Sequence, residues 1–204
     1  MSKIYSVKKK SPHSFHPDWT TADSLTDFSY PWNSGILPAT VFRALWDSDY
    51  FYFRFDATDM NINVHKKSND KLEVGLSDRV EIFFKSNEEM NPYYCLEIDP
   101  HGRVMDFEAR LYRQFNFEWQ WPNLVVTPKV LENGYSIEGK ITLESLVSLN
   151  VLKNNTMHAG LYRANCIASH DDEAEFEWIS WIHPRTENPD FHVASSFGKL
   201  ILVQ

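Results

Sequence analysis

The chain has 204 residues, of which 43% are hydrophobic and 24% charged, close to the composition of ordinary globular proteins. This length suffices for one well-buried core, and the balanced composition excludes disordered, collagen-like and coiled-coil proteins. The formal net charge is −8 and basic residues are scattered except at Lys8–Lys10, which argues against a nucleic-acid partner and fits an uncharged ligand better. Aromatic residues stand out at 15%, with more tryptophans than a small core needs.

The N-terminal segment lacks a regular pattern. Four prolines within residues 1–38 interrupt any helix or strand: Pro12, Pro17, Pro31 and Pro38. We therefore predict an irregular arm, residues 1–35, that packs on a single domain formed by residues 36–204. Neither an internal repeat nor a linker divides that domain.

From residue 39 onward, apolar and polar residues alternate with a period of two, which predicts β-strands. In the first hairpin, residues 39–46 and 50–55, the side chains of Phe51, Phe53 and Phe55 share one face. Further strands are predicted at residues 79–84, 93–99, 104–109, 124–130, 135–141, 158–168 and 197–203.

Turn and cap residues separate these runs. Pro100–Gly102 and Asn133–Gly134 are typical of hairpin turns. Residues 142–147 form the one convincing short helix, with Thr142 as its N-cap. The pattern predicts an all-β fold, an antiparallel β-sandwich of immunoglobulin-like or jelly-roll-like type with one short helix and an irregular N-terminal arm.

Cysteine usage and hydropathy carry little functional information. Cys95 and Cys166 lie in strand-like runs, and we interpret them as buried thiols. No apolar stretch approaches the ~20 residues that span a bilayer, and no apolar segment follows the basic start of the chain. As written, the sequence predicts a soluble, cytoplasmic protein, or a periplasmic or secreted one if a signal peptide has been removed.

Three acids are candidates for catalysis. Glu97 and Asp99 are two residues apart on a predicted strand and share a face, and Glu81 lies on another strand that could be its neighbour. A glycoside hydrolase needs two such facing acids. Acids with a period of two on a solvated sheet face are the commoner explanation, and no nucleophile elbow, phosphate loop or dinucleotide motif is present. Catalysis remains an alternative without specific support.

Metal binding has one candidate segment. Residues 170–173 with Glu175 form an acidic loop that could bind calcium through oxygen ligands. The loop lacks the spacing and the glycine of a calcium loop, so a solvated charge run is favoured. The dispersed histidines disfavour zinc. No motif requires a cofactor.

The C-terminal aromatic residues suggest a sugar site. Trp178 and Trp181 stand beside acids and hydroxyl groups, and His192 follows in a loop that ends at Phe197-Gly198. A pyranose has an apolar face that stacks on an indole and a rim of hydroxyl groups that needs fixed donors and acceptors. A buried core position is the competing interpretation for each tryptophan.

A second aromatic segment spans residues 117–122. Trp119 and Trp121 share a face if this segment is extended. Such a loop is either a lid on the core or an exposed stacking surface. In the latter case it could also dock another protein, so an interaction module is a further alternative.

Several motifs occur in a recognisable order: Ala44–Asp47, Ser77–Phe83, Tyr94–Gly102 and Trp178–Gly198. This series resembles carbohydrate-binding modules of family 9 and their stand-alone relatives over roughly residues 36–203. The resemblance implies a β-sandwich that binds a mono- or oligosaccharide, or the end of a glycan, without catalysis. It also implies a structural calcium ion and association with glycan-degrading enzymes.

The resemblance assigns roles to individual residues. Glu81 matches the family acid that accepts hydrogen bonds from sugar hydroxyls, and Trp181 matches the aromatic that stacks on the ring. Arg103 falls near a basic residue that contacts hydroxyls. Some members carry a second tryptophan shortly before the strand with the acid, whereas residues 71–76 contain none. Either Trp119 or Trp121 replaces it from the neighbouring loop, or the site has changed to another ligand or been lost.

From these observations we predict non-catalytic carbohydrate binding. Stacking on Trp181 or Trp178 would contribute most of the affinity, and Glu81 with Arg103 would select the hydroxyl pattern. His192 would lie at the rim of the site.

Overall fold

The computed structural model describes residues 3–12, 14–170 and 173–204. Within these ranges the chain is mostly β-structure, with one α-helix, α1 (Leu143–Ser148), and two short 3-10 turns at Lys71–Leu76 and Ala194–Ser196. The strands are β1 (Ile4–Lys9), β2 (Thr40–Trp46), β3 (Tyr50–Thr58), β4 (Arg79–Lys85), β5 (Tyr93–Ile98), β6 (Val104–Arg110), β7 (Gln114–Asn116), β8 (Val125–Leu131), β9 (Gly134–Thr142), β10 (Thr156–His170), β11 (Glu173–Ser180) and β12 (Gly198–Leu202).

These strands form one curled sheet in the order β7-β6-β5-β4-β10-β12-β1-β2-β3-β9-β8, with β11 paired to β10. The N-terminal strand joins the two halves. Residues Ile4–Val7 run parallel to β12, and Lys8–Lys9 run parallel to β2. The prediction of an all-β fold is confirmed, but the predicted antiparallel sandwich needs correction because the sheet is mixed. The arm is also not irregular throughout, since β1 lies inside the sheet.

The main core lies inside the curl. Phe51, Phe53 and Phe55 are fully buried, as their shared face predicted. Phe51 of β3 meets Phe84 of β4 edge to face with ring centroids 6.4 Å apart, so the two halves of the sheet pack on each other. Burial of these aromatic rings on both halves removes a large apolar area from water and stabilises the closed curl.

The residues from which we predicted the turns and the helix have the expected roles in the structure. Thr142 caps α1, because its hydroxyl oxygen accepts from the Ser145 N–H at 3.1 Å. Gly102 has φ of +79°, and a Cβ there would lie 2.7 Å from Pro128 Cγ, so the turn between β5 and β6 requires glycine. Both cysteines are free and buried, as predicted.

Alternate residues of β4, β5 and β10 point away from the main core into a second apolar cluster. This outer cluster contains Phe83, Phe107, Tyr162, Phe191 and Phe197. Its last two members belong to the loop between β11 and β12, residues 181–197. The loop therefore covers the outer face of the sheet and forms one wall of the site described next.

Candidate functional site

A pocket of about 220 Å³ opens on the outer face of the sheet, beside the outer cluster. Strands β4 and β5 form its floor, and β11, the arm and the loop before β12 form its walls. Its lining consists of Trp32, Arg79, Glu81, Phe83, Glu97, Arg113, Trp178 and residues 189–192. We call it the outer-face pocket.

The floor of the outer-face pocket is a charged triad. Glu81 and Glu97 are directly opposite each other in the β4–β5 ladder, and Arg79 is two residues before Glu81 on the same face. The Arg79 Nε lies 2.7 Å from Glu97 Oε2 and 2.9 Å from Glu81 Oε1. All three side chains are nearly inaccessible to solvent. Two buried carboxylates therefore share one guanidinium group.

The two acids are not equivalent. Arg79 Nε donates its hydrogen bond to Glu97, whereas the buried Glu81 Oε1 has an ion-pair contact with the same Nε at 2.9 Å but accepts no well-aligned hydrogen bond. A buried oxygen without a well-aligned donor is costly unless a ligand or water donates to that carboxylate. Burial raises the pKa of Glu81, the charge of Glu97 raises it further, and Arg79 opposes both effects in part. Burial likewise raises the pKa of Glu97, although Arg79 opposes that shift.

Trp178 forms one wall, above the floor. The register of β10 places Ala164 between Trp178 and Arg79, so that both side chains emerge on the outer face. The Arg79 Cζ lies 5.5 Å from the Trp178 ring centroid and 5.0 Å from that of Phe176, which are cation–π distances. The indole also meets Phe191 edge to face at 5.7 Å. Trp178 remains partly exposed.

The N-terminal arm supplies a second indole. Ser29 forms a β-bridge with Ser180, in which each backbone N–H donates to the other residue's carbonyl at 2.9 Å. This pairing continues where Trp178 N–H donates to Asn33 Oδ1 at 3.3 Å. It brings Trp32 to the pocket, where its Nε1–H donates to the Thr186 carbonyl at 2.9 Å.

Trp32 and Trp178 both pack on Phe191. The Trp32 ring centroid lies 5.3 Å from that of Phe191. No direct ring contact joins the two indoles among the described residues. They therefore form separate walls of one pocket.

The rim on the opposite side is polar. Asp190 accepts hydrogen bonds from Tyr112 Oη at 2.7 Å, Arg113 Nη2 at 3.0 Å and the His192 backbone N–H at 2.9 Å. These donors hold the pKa of Asp190 below its usual range although burial opposes them. The Asp190–Arg113 pair is thus a fixed ion pair beside the opening.

His192 lies between the rim and the outer cluster. Its Nδ1 is 3.0 Å from Tyr93 Oη, and its ring packs on Phe83 with centroids 5.0 Å apart. Burial lowers the pKa of His192 to about 3, and the nearby Arg113 contributes to the shift. The imidazole is therefore neutral at physiological pH.

The structure separates the two C-terminal tryptophans that the sequence placed together. Trp181 is 1% exposed and packs in the main core, so it has no free face for a ligand. The expected stacking role of Trp181 therefore requires correction. Trp181 directly follows β11, and its N–H still donates to the Leu161 carbonyl of β10 at 3.0 Å. Because side chains alternate between the two faces along such a ladder, Trp181 and Trp178, three residues apart, point to opposite faces, and Trp178 is on the outer one.

Trp119 and Trp121 lie away from the outer-face pocket. Both pack on Tyr94, with ring centroids 5.0 Å and 5.8 Å away, on the main-core side of β5. Trp121 is 5% exposed. The segment folds back as a lid on the core, so these indoles do not replace the missing family tryptophan in this pocket.

Arg103 also lies elsewhere. Its Nε donates to Asp99 Oδ2 at 2.6 Å, and its Nη2 donates to the His65 carbonyl. Asp99 additionally accepts from the backbone N–H groups of His101 and Arg103. Arg103 and Asp99 thus hold the turn between β5 and β6 and do not line the outer-face pocket.

The alternative catalytic arrangement has little geometric support. Asp99 is occupied in the turn, and Glu81 and Glu97 approach the same Arg79 nitrogen instead of facing each other across an open cleft. Hydrolases separate their two carboxyl groups by about 5–9.5 Å around the scissile bond.

The expected structural calcium ion stays a prediction. Within residues 3–12, 14–170 and 173–204, no group of three or more His, Cys, Asp or Glu side chains could hold a metal ion. Asp171 and Asp172 of the acidic loop lie outside the described residues.

In the same described ranges, no helix is long and apolar enough to cross a bilayer.

Sequence reasoning missed several residues of the pocket, among them Arg79, Trp32 and Arg113. Arg79 had a usable signal, because it precedes Glu81 by two residues and must share its face. Trp32 had none, because its position depends on long-range pairing between the arm and β11.

Comparison with known proteins gives a consistent result. Residues 15–204 match the family described as "Carbohydrate family 9 binding domain-like". A stretch of 132 residues, 65% of the chain, is 26% identical to the exoglucanase XynX of Acetivibrio thermocellus. That match spans only 11% of the exoglucanase.

Solved structures share the fold. A protein of Bacteroides uniformis, proposed to bind carbohydrate, matches with a TM-score of 0.76 and 16% identity over 100% of both chains. A family 9 carbohydrate-binding module of Caldicellulosiruptor kristjanssonii in complex with glucose matches with a TM-score of 0.63 and 16% identity, over 98% of this chain and 96% of that one. Its complex with cellotriose gives 0.61 and 15%, over 98% and 93%.

Proposed function

The chain belongs to the carbohydrate family 9 binding domain-like family, and from this premise we propose that its outer-face pocket binds a sugar residue without catalysis. The observation that carries the proposal is the charged floor between two indoles, on which the buried Glu81 Oε1 accepts no hydrogen bond and has only its ion-pair contact with Arg79 Nε. Apolar walls with a few convergent polar groups are the general design of small-ligand sites.

The indoles supply the apolar part of the site. Trp178 is partly exposed and held from below by Arg79 and from the side by Phe191. A pyranose would place its C–H face on this indole, and Trp32 would enclose the ligand from the arm. Trp32 thus supplies a second tryptophan from a different part of the chain than residues 71–76.

The floor supplies the polar part. The Glu81 carboxylate would accept a hydrogen bond from a sugar hydroxyl. Arg79 uses Nε for Glu97 and Nη1 for the carbonyls of Gly75 and Ser77, which leaves Nη2 without a partner among the described residues. Nη2 would donate to a neighbouring hydroxyl oxygen. Because each such bond replaces one with water, the net gain is only about 1 kcal/mol per bond.

The size of the pocket indicates its ligand. A single terminal residue would enter it, with the remainder of an oligosaccharide outside, beside the Asp190–Arg113 pair. His192 would contribute packing under the rim and no charge. The alternative ligand residues Trp181, Trp119, Trp121 and Arg103 lie outside this pocket, so we assign them no contact.

Association with glycan-degrading enzymes is the broader part of the proposal. It is supported by the stretch of similarity within the exoglucanase XynX. A non-catalytic domain of this type would hold such an enzyme near its substrate and raise its local concentration.

The test is isothermal titration calorimetry with glucose, xylose, cellobiose and cellotriose. We expect saturable binding, with a Trp178→Ala variant weakened and a Trp19→Ala variant unchanged. Trp19 is a matched control because it is also partly exposed but lies in a different cavity, beside Tyr50 and Tyr52. Absence of heat with every saccharide, or equal losses in the two variants, would overturn the proposal.

A further inference from the structure

The floor of the outer-face pocket holds two acids and one cation, so it has one excess negative charge when both acids are ionised. Glu81 and Glu97 face a single cation, Arg79. Buried charges are ordinarily paired, because an isolated ion loses its hydration. A ligand or a proton must therefore neutralise the excess negative charge.

Arg79 contacts both acids, but its single positive charge cannot neutralise two carboxylates. Its Nη1 is held by the carbonyls of Gly75 at 3.0 Å and Ser77 at 3.3 Å, and its face lies against Trp178. These contacts fix the direction of Nε, which donates to Glu97. Glu81 Oε1 is left with the ion-pair contact at 2.9 Å and accepts no hydrogen bond.

No other described group near the floor supplies a second cation. On the rim, Arg113 is paired with Asp190 at 3.0 Å. The low pKa of His192 keeps the imidazole neutral. On β10, the Tyr162 hydroxyl bonds to Ser196, and on β5, burial keeps the thiol of Cys95 protonated by raising its pKa.

We propose that the outer-face pocket selects amino sugars, so that a hexose carrying a primary ammonium group binds more tightly than the neutral hexose of the same shape. This inference rests on the proposed function, since it assumes that sugars enter this pocket. The ammonium group would lie against Glu81 and complete a four-charge set of two carboxylates, one guanidinium and one ammonium. Hydrogen bonds between charged partners are roughly twice as strong as neutral ones.

Proton release is a consequence of this model. In the free protein, the Glu81–Glu97 pair would retain one proton, because burial and mutual repulsion disfavour two charges. When the ammonium group of the ligand binds, this proton leaves for the solvent and the ligand nitrogen keeps its own protons. A neutral sugar would bind without this release.

The experiment compares four sugars at the same site by calorimetry: D-glucosamine, D-glucose, N-acetyl-D-glucosamine and D-glucuronic acid. We expect glucosamine to bind about tenfold more tightly than glucose at pH 7. Acetylation should remove this advantage because it removes the charge, and the glucuronic carboxylate should bind most weakly. Methylammonium chloride, which lacks the ring, should not bind measurably.

The second readout is the number of protons released. It comes from titrations in two buffers with different enthalpies of ionisation, for glucosamine and for glucose. Glucosamine should release a substantial fraction of one proton, and glucose none. The glucosamine preference should also grow between pH 5 and pH 7, as the shared proton becomes easier to displace.

Variants of Glu81 and Glu97 test whether the charged floor causes the preference for glucosamine. Glu81→Gln should reduce the ratio of the glucosamine and glucose affinities to about one, and Glu97→Gln provides a second test if the first variant fails to bind. Glu132→Gln, in the exposed turn between β8 and β9, is the matched control and should keep the wild-type ratio.

The outcomes separate the two proposals. Glucose binding without a glucosamine preference, or a preference that survives in Glu81→Gln and Glu97→Gln, would overturn the amino-sugar inference alone. Failure of all sugars, neutral and charged, would overturn the proposed function, and the inference would fall with it.

Discussion

Trp178 lies across the guanidinium group of Arg79, with the ring centroid 5.5 Å from Cζ. One face of the indole is thereby fixed from beneath by a buried cation, and the ring needs no reorganisation before it binds. A side chain that is already ordered loses little entropy on binding, which favours stacking of a sugar on this ring.

The first prediction follows from this preorganised indole. Trp178→Ala should lower the affinity for a bound monosaccharide by about thirtyfold, or about 2 kcal/mol, because a central aromatic contact is lost. Trp178→Phe should lose less, since a smaller ring remains over Arg79. Calorimetry with glucose measures both, and equal affinity in all three proteins would show that the ring is not in the site.

Trp181 should behave in the opposite way. It is buried against Gly198, where a Cβ would lie 2.6 Å from the indole, so the ring fills a tight space in the main core. Trp181→Phe should lower the free energy of unfolding by about 1–3 kcal/mol through the cavity it leaves. Urea denaturation measures this loss.

The binding measurement on the same variant is the discriminating one. The affinity of folded Trp181→Phe for glucose should stay within about twofold of the wild type, because Trp181 lies on the opposite face of the sheet from the pocket. A large loss of affinity at unchanged stability would restore the ligand role that the sequence first indicated.

A third prediction concerns the charged triad. Arg79→Met should destabilise the protein by about 3–5 kcal/mol, because it leaves Glu81 and Glu97 buried without a cation. Combining it with Glu97→Gln should recover part of this loss, since one unpaired charge is removed. Urea denaturation of the single and double variants measures the coupling, and simple additivity of the two changes would argue against a shared interaction.

Sequence reasoning located the strands better than the site. Alternation of large apolar residues defined β2, β3 and β4 because burial on one face imposes a period of two. Strand β1 was not predicted, because Ile4–Lys9 lies in a segment with many prolines and pairs with residues nearly two hundred positions away. The sequence pattern of a short segment does not show with which distant residues the segment will pair.

The residues of the site were also predictable only where a local pattern determines their position. Glu81 could be identified from its motif, and Arg79 follows from the period of the strand. The choice between Trp178 and Trp181 depends on which face of β11 meets the core, and this is fixed only when β11 pairs with β10. Trp32 depends on the bridge between Ser29 and Ser180, for which the sequence has no local signal.

The arm provides a fourth prediction. Trp32→Ala should weaken sugar binding by about tenfold, because the pocket loses one wall and its desolvated interior. The fold should be retained, since the Ser29–Ser180 bridge uses backbone groups that the variant keeps. Calorimetry measures the affinity and thermal unfolding checks the fold. Unchanged affinity would show that the arm only covers the sheet and does not contact the ligand.

The last prediction concerns stability as a function of pH. Burial raises the folded-state pKa of Glu81 above its ordinary value of 4.5, with Glu97 as the second cause. The folded protein therefore retains a proton that the unfolded chain releases. Its contribution to stability is complete below pH 4.5 and decreases as the pH rises toward the folded-state pKa.

Two other groups define the window in which this effect can be isolated. Burial raises the pKa of Asp78 to about 6, so its contribution in the same direction is mostly lost by that pH. Burial lowers the pKa of His192 to about 3 from its ordinary 6.5, so its contribution is present above pH 6.5 and is lost as the pH falls. Between pH 6.5 and pH 8 the Glu81–Glu97 pair should dominate.

In that window the free energy of unfolding should fall by about 1–2 kcal/mol as the pH rises, since each unit of pKa difference corresponds to ~1.4 kcal/mol. Glu81→Gln should flatten the profile, because glutamine does not titrate and Glu97 then faces Arg79 alone. Urea denaturation at pH 6.5, 7.2 and 8 measures the slope, with Glu132→Gln as the control that keeps it. A stability that rises with pH in the wild type would mean that the two carboxyl groups are both ionised and that no proton is shared on the floor of the pocket.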